Sequence, residues 1–141
     1  MSMSMIIEML RKHESVETHA YKCSANKTTI GVGRNIDKNG GIGLSQGEID
    51  YLLTNDVKRV SVELLLTFSW YAALDDARKD AMLDMCFNMG LPRFKNFKKA
   101  LAAMALGDYN EAAKEFLDSR WAKQVGQRAI TVTDIIRSGE Y

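Results

Sequence analysis

"HESVETHAYKCSANKTTIGVG", residues 13–33, decides how the rest of the chain is read. Ahead of it, residues 4–13 place Ile6 and Leu10 four apart, and Glu14 takes the next step of that spacing. The carboxylate therefore continues the apolar stripe of a helix rather than its wet face. Residues 15–18 break the helical pattern. "AYKC" and "TTIGVGRNI" then read as two short strands about the turn "SANK", with Cys23 on the first of them. Ile30 and Val32 share one face of the second strand. Thr29, Gly31 and Gly33 share the other, open face, where the two glycines leave room for close approach to the backbone.

Downstream, "DKNGGIG" is a loop by composition. Ser45 with Glu48 forms a capping box and starts a long helix through "EIDYLLTNDVKRVSVELLL". A further helix starts at Asp75 or Asp76 and runs to Met89, where Gly90 and Pro92 stop it. "RFKNFKKALAAMAL" reads as one amphipathic helix ended by Gly107. Asp108 with Glu111 opens another through "YNEAAKEFLDSRWAKQ", closed by Gly126. The tail "QRAITVTDIIRSGEY" is rich in β-branched residues, so propensity alone allows a strand, but its helical context makes it a helix. The pattern predicts an α+β fold in a single domain, 1–141. A small β-hairpin lobe (about 14–45) is joined by a long helix (about 45–66) to a mainly helical lobe (about 67–141) that includes helix 1.

At 141 residues the chain can bury roughly 65–70% of its unfolded surface, enough for a core of its own. Nineteen Lys and Arg against eighteen Asp and Glu leave a net charge of +1. That balance gives no reason to expect nucleic acid or an anionic membrane as partner. Two cysteines do not make a disulfide framework, and Cys86, inside "MLDMCFNMG", reads as a small buried hydrophobe. Residues 60–74 are the most apolar stretch, yet fall short of the roughly 20 residues a bilayer needs and read as a core helix. No charged-then-apolar leader opens the sequence, so residence in a reducing cytoplasm is expected. "TIGVG" lacks the third glycine and following helix of a dinucleotide site. His13, His19 and Cys23 lack the second clustered pair that zinc needs, and His19 with Cys23 lacks a third group to orient a thiol and its base. No metal or cofactor is expected.

Glu14, eight residues, Cys23, five residues, Thr29, and then "IGVG" resembles the phage-type lysozymes. Their signature spaces Glu, Asp or Cys, and Thr in this way, on a Thr-x-Gly-x-Gly strand. "EMLRKHE" is similar to their first helix, "MLDMCFNMG" to their core helix, and "SRWAKQVGQRA" to their Ser-Arg-Trp segment with its following arginine. The matches run in order through most of the chain. The resemblance implies a lysozyme-like fold and a muramidase that hydrolyses the β-1,4 bond between N-acetylmuramic acid and N-acetylglucosamine in peptidoglycan. Glu14 would be the general acid, Cys23 would stand in the Asp/Cys position, and Thr29 would place the attacking water. Phe87, Asn88 and Met89 would line the cleft, Arg128 would reach the catalytic carboxylate, and Trp121 would pack beneath. An endolysin of this kind would be a monomer without stable membrane association. It would be made in the host bacterial cytoplasm and reach the wall after the membrane is breached. The sequence departs from the family in three places: Arg34 replaces the usual histidine, the loop before the long helix is shorter, and the net charge is near neutral.

Glycoside cleavage needs a proton on the leaving oxygen while positive charge builds on the ring. Glutamic acid in water titrates near pH 4.3, so partial burial on the apolar stripe would help it keep that proton, and a nearby Arg128 would oppose. A thiol titrates near 8.5, so only a few per cent is thiolate at pH 7 without help. As thiolate, Cys23 would activate water or, second, attack the anomeric carbon. Two other readings remain open at this point: a peptidoglycan-binding module in which Cys23 replaces a lost aspartate, and a lytic transglycosylase that releases 1,6-anhydro ends.

Overall fold

The computed structural model describes residues 3–141. The chain forms two compact units, the first ending at Leu52 and the second running Leu53–Tyr141. The first unit holds helix α1 (Met3–His13) and strands β1 (Val16–Lys22), β2 (Thr28–Val32) and β3 (Arg34–Asn35). Helix α1 thus groups with the sheet, whereas the sequence analysis placed it with the helical lobe. Its last turn carries Arg11 and Lys12, cations suited to a helix C-terminus. None of its residues is buried, and Met3, Met5 and Met9 are exposed.

The sheet is antiparallel in the order β1-β2-β3, with Val16 opposite Val32 and Lys22 opposite Thr28. Its register shifts between Glu17 and Tyr21. Three details differ from the sequence reading. Strand β1 begins at Val16 and takes in residues read as a break, Cys23 lies beyond its end, and the two-residue strand β3 adds a third rung. The following loop is pinned by Asp37, whose carboxylate accepts from the Thr28 and Asn39 N–H groups at 2.9 and 2.8 Å.

Helix α2 (Gln46–Thr67) starts from the capping box in full. Ser45 N–H donates to Glu48 Oε1 at 2.8 Å, and Glu48 N–H donates to Ser45 Oγ at 3.2 Å. In the second unit Val60 and Leu64 of α2 are buried. The helix stops at Thr67, so the apolar stretch 60–74 is not one helix; Tyr71–Ala73 form a 3₁₀ turn.

Asp75 caps α3 (Asp76–Met89), and Gly90, at φ +83°, ends it. Pro92 then sits in the first turn of α4 (Leu91–Phe94), where its missing N–H costs little. The chain leaves helix over residues 95–97 before α5 (Lys98–Leu106), so the single helix expected over 93–106 is two. The same happens downstream. Asp108 caps α6 (Tyr109–Leu117), and Ser119 caps a separate α7 (Arg120–Val125). Helix α8 (Gln127–Ser138) forms despite its β-branched content, because Ala129, Val132, Thr133 and Ile136 recur on one face and are buried. Thr133, fully buried, donates its hydroxyl to the Ala129 carbonyl at 2.7 Å.

The core of this unit lies where α3, α5, α6 and α8 pack. Phe94 and Phe116 stack with centroids 6.2 Å apart. Around them sit Met82, Met85, Met104 and the Cys86 thiol, all fully buried, as expected for Cys86. Burial pushes that thiol up to about 11. Arg78 closes the unit. Its Nε donates to the Ile136 carbonyl at 2.7 Å, Nη2 donates to Arg137 O at 3.0 Å, and the guanidinium lies 3.7 Å over the Tyr109 ring. Among the described residues, no helix is long and apolar enough to cross a membrane.

Candidate active site

In the first unit Glu14 extends the backbone hydrogen bonding of α1 by one residue, its N–H donating to Leu10 O at 2.7 Å. Gly33 turns the chain from β2 into β3 with φ +67°. The Glu14 carboxylate lies against it, such that a Cβ at position 33 would stand 2.8 Å from Oε2. Glu14 is exposed. The partial burial expected from the apolar stripe is therefore absent, because the helix that carries the stripe has no buried residue.

Cys23 sits half-buried at the start of the β1–β2 turn, not on the strand as expected. Its N–H donates to the Lys27 carbonyl at 3.0 Å. Hydrogen bonds from the backbone at Lys27 and then Ala25 hold the thiol below its ordinary value against a smaller opposing effect of desolvation. Thr29 is 3% exposed and so is not on an open face. Its hydroxyl donates to the same Lys27 oxygen at 2.9 Å. The hydroxyl's one hydrogen is thereby committed, and only lone pairs are left for another partner. The sequence singles out Glu14, Cys23 and Thr29 as candidates but gives no sign of the carbonyl that joins two of them, since any residue type supplies one.

Arg34 pairs with Glu48: Nη2 lies 2.7 Å from Oε2, and Nη1 donates to Oε1 at 3.0 Å and to Gly43 O at 2.9 Å. Below this pair, Ile30, Val32, Ile36, Leu44 and Leu52 line an apolar groove. Ile30 and Val32 share it, as the strand alternation predicts.

In the second unit the remaining site candidates divide. Phe87 and Arg128 share a groove with Leu53, Val57, Leu83 and Asp84. Arg128 is held there by Asp84, Nε to Oδ1 at 2.9 Å, with a longer bond from Nη2 to the Asp84 carbonyl. Asp84 is a partner the sequence reading missed, although it lies in "MLDMCFNMG" one turn before Phe87 and Asn88. Asn88 points elsewhere and accepts from Trp121 Nε1 at 2.8 Å. Met89 packs on the core and shares a groove with Phe97 and the buried Trp121. Among the described residues no group of three or more His, Cys, Asp or Glu could hold a metal ion.

One unit holds a small antiparallel sheet together with Glu14, Cys23 and Thr29, and the other is helical, which makes an α+β fold of the lysozyme-like class. The sequence profile described as phage lysozyme matches residues 11–134. The chain belongs to the phage lysozyme family, and with it to the glycoside hydrolases that act on peptidoglycan. It is 29% identical over 162 aligned positions to the probable T4-type lysozyme 2 of Dictyostelium discoideum, covering 96% of this chain and 95% of that protein. It is 28% identical to the endolysin of Acyrthosiphon pisum secondary endosymbiont phage 1, covering 85% and 80%. The pre-baseplate central spike protein Gp5 of Enterobacteria phage T4 is 29% identical over 94% of this chain, which spans 27% of that protein.

Proposed function

We propose that the chain is a muramidase that hydrolyses the β-1,4 bond between N-acetylmuramic acid and N-acetylglucosamine, with Glu14 as general acid. The observation that carries this reading is the Glu14 carboxylate lying against Gly33, in the unit that also joins Cys23 and Thr29 through Lys27. A glycan drawn over Gly33 would cover the exposed carboxyl and strip water from it, the condition under which a carboxylic acid keeps its proton. Glu14 then gives that proton to the bridging oxygen as the bond to the ring carbon breaks.

Cys23, as thiolate, takes a proton from water, and the oxygen of that water attacks the anomeric carbon. Thr29 accepts the water's second hydrogen with its lone pairs, its own being engaged by Lys27. Phe87 and Arg128, which share a groove of the second unit, bind the glycan there, whereas Asn88 is held by Trp121 and Met89 packs on the core. The protein acts as a monomeric endolysin, made in the host bacterial cytoplasm and reaching the wall once the membrane is breached. The family match and the endolysin among its relatives support the lytic part of that role.

Digestion of purified peptidoglycan by the wild type, Glu14→Gln and Cys23→Ser, with product ends read by mass spectrometry, tests the reading. Reducing muramic ends from the wild type, lost in Glu14→Gln, are expected. Anhydro ends identify a transglycosylase instead, and uncut glycan a binding module. Full activity in Cys23→Ser removes the thiol from the chemistry.

A further inference from the structure

The β1–β2 connection turns through Ser24, Ala25 and Asn26. Asn26 N–H donates to the Cys23 carbonyl at 2.8 Å, and Cys23 N–H donates back across the turn to Lys27 O. This is a three-residue hairpin loop, which needs a left-handed residue at its last position to bring the strands back into register. Asn26 supplies it at φ +61°, the one positive φ among the described residues that are not glycine. Asparagine tolerates that conformation better than most residues, and a β-branched residue tolerates it worst. The Asn26 side chain is exposed, so its effect on the site runs through the backbone.

The same turn delivers the Lys27 carbonyl, which receives both the Cys23 N–H at 3.0 Å and the Thr29 hydroxyl at 2.9 Å. We infer that Asn26 is a positioning residue: its left-handed backbone sets the bulge through which one carbonyl holds Cys23 and Thr29 together. This rests on the roles proposed above for those two residues. Forced out of the left-handed region, the turn loses its register, and a one-residue slip carries a side chain to the opposite face of the hairpin. The hydrogen bonds that Lys27 and Ala25 give the thiol depend on the same geometry.

Asn26→Val and Asn26→Gly separate backbone from side chain. Two quantities are measured on the whole folded protein: kcat and KM on peptidoglycan, and the rate at which iodoacetamide alkylates Cys23 at pH 7.5, located by peptide mass. The buried Cys86 does not compete. The valine variant is expected to lose at least tenfold in kcat with KM within threefold, and to alkylate at least threefold more slowly. The glycine variant is expected to stay within twofold of wild type in both. The inference is overturned if the valine variant keeps either quantity within twofold or alkylates faster, or if glycine loses as much as valine. Should the valine variant not fold, Asn26→Ala replaces it under the same criteria. If the wild type cuts no glycan, the muramidase reading has failed, and the alkylation rates alone decide about Asn26.

Discussion

The carboxylate of Glu14 occupies space that exists because residue 33 has no side chain. A Cβ there would stand 2.8 Å from Oε2, 2.9 Å from Cδ and 3.0 Å from Cγ of Glu14. The contact is with the far end of a flexible side chain, so Gly33→Ala is relieved by moving Glu14. Its stability cost is then mainly that of a left-handed alanine, about 1 kcal/mol. With Glu14 as the proposed acid, the effect on rate is larger, because a displaced catalytic group loses on the order of 10²-fold per ångström. A small drop in Tm with a kcat loss of ten- to hundredfold (roughly, on that principle) is expected. Equal rates for Gly33→Ala and wild type would detach Glu14 from the chemistry.

Asp37 gives the hairpin a pH dependence. Hydrogen bonds from Thr28 N–H and then Asn39 N–H, with a smaller contribution from Lys22, hold its carboxyl at about 2. A carboxyl depressed in the folded chain stabilises it above the ordinary carboxylate range, near pH 3.9, and that contribution fades as pH falls towards 2. Wild type should therefore melt above Asp37→Asn at pH 6, with the gap narrowing below pH 4 and nearly closing at pH 2. Melting curves across that range check it; a constant gap contradicts it.

Arg128 separates binding from stability. It and Asp84 are 41% and 43% exposed, and a pair this wet is worth about 0.2–1 kcal/mol. Arg128→Gln should therefore shift urea unfolding by less than about 1 kcal/mol. If Arg128 contacts the glycan, the same variant loses about tenfold or more in kcat/KM, the equivalent of about 1.4 kcal/mol. Loss of stability without loss of activity would make Arg128 purely structural.

Arg78 shows the opposite profile. Its side chain is 16% exposed and holds two carbonyls near the end of α8, Asp75 and the Tyr109 ring. Arg78→Met leaves carbonyls without their charged donor and removes the stacking, a loss of about 2–4 kcal/mol. Urea unfolding should record that loss with catalytic parameters on soluble glycan fragments unchanged.

Much of the fold was legible where side chains act on their own backbone. Ser45 and Glu48 predicted the start of α2, and both bonds of their box form. Asp75 and Gly90 bracketed α3. What escaped was settled at longer range. The break at residues 95–97 has no proline or glycine inside it, and Ser119 was passed over as a cap because helical periodicity ran on through it. Strand β3 is too short to show alternation. At the site, residue types and spacing singled out Glu14, Cys23 and Thr29. Their surroundings were not legible: Thr29 alternates with two glycines, which suggested an open face, yet it is buried with its hydroxyl on a backbone oxygen. Exposure of Glu14 likewise follows from how little covers α1, which periodicity does not report.

Sulfur is distributed unevenly between inside and outside. Met82, Met85 and Met104 are sealed in the helical core, while Met3, Met5 and Met9 face water. Dilute peroxide should therefore give two well-separated phases of sulfoxide formation: a prompt one at the N-terminal helix, and a slow one paced by how often the interior opens. The second phase is a built-in chronometer of unfolding, readable by peptide mapping without any added label.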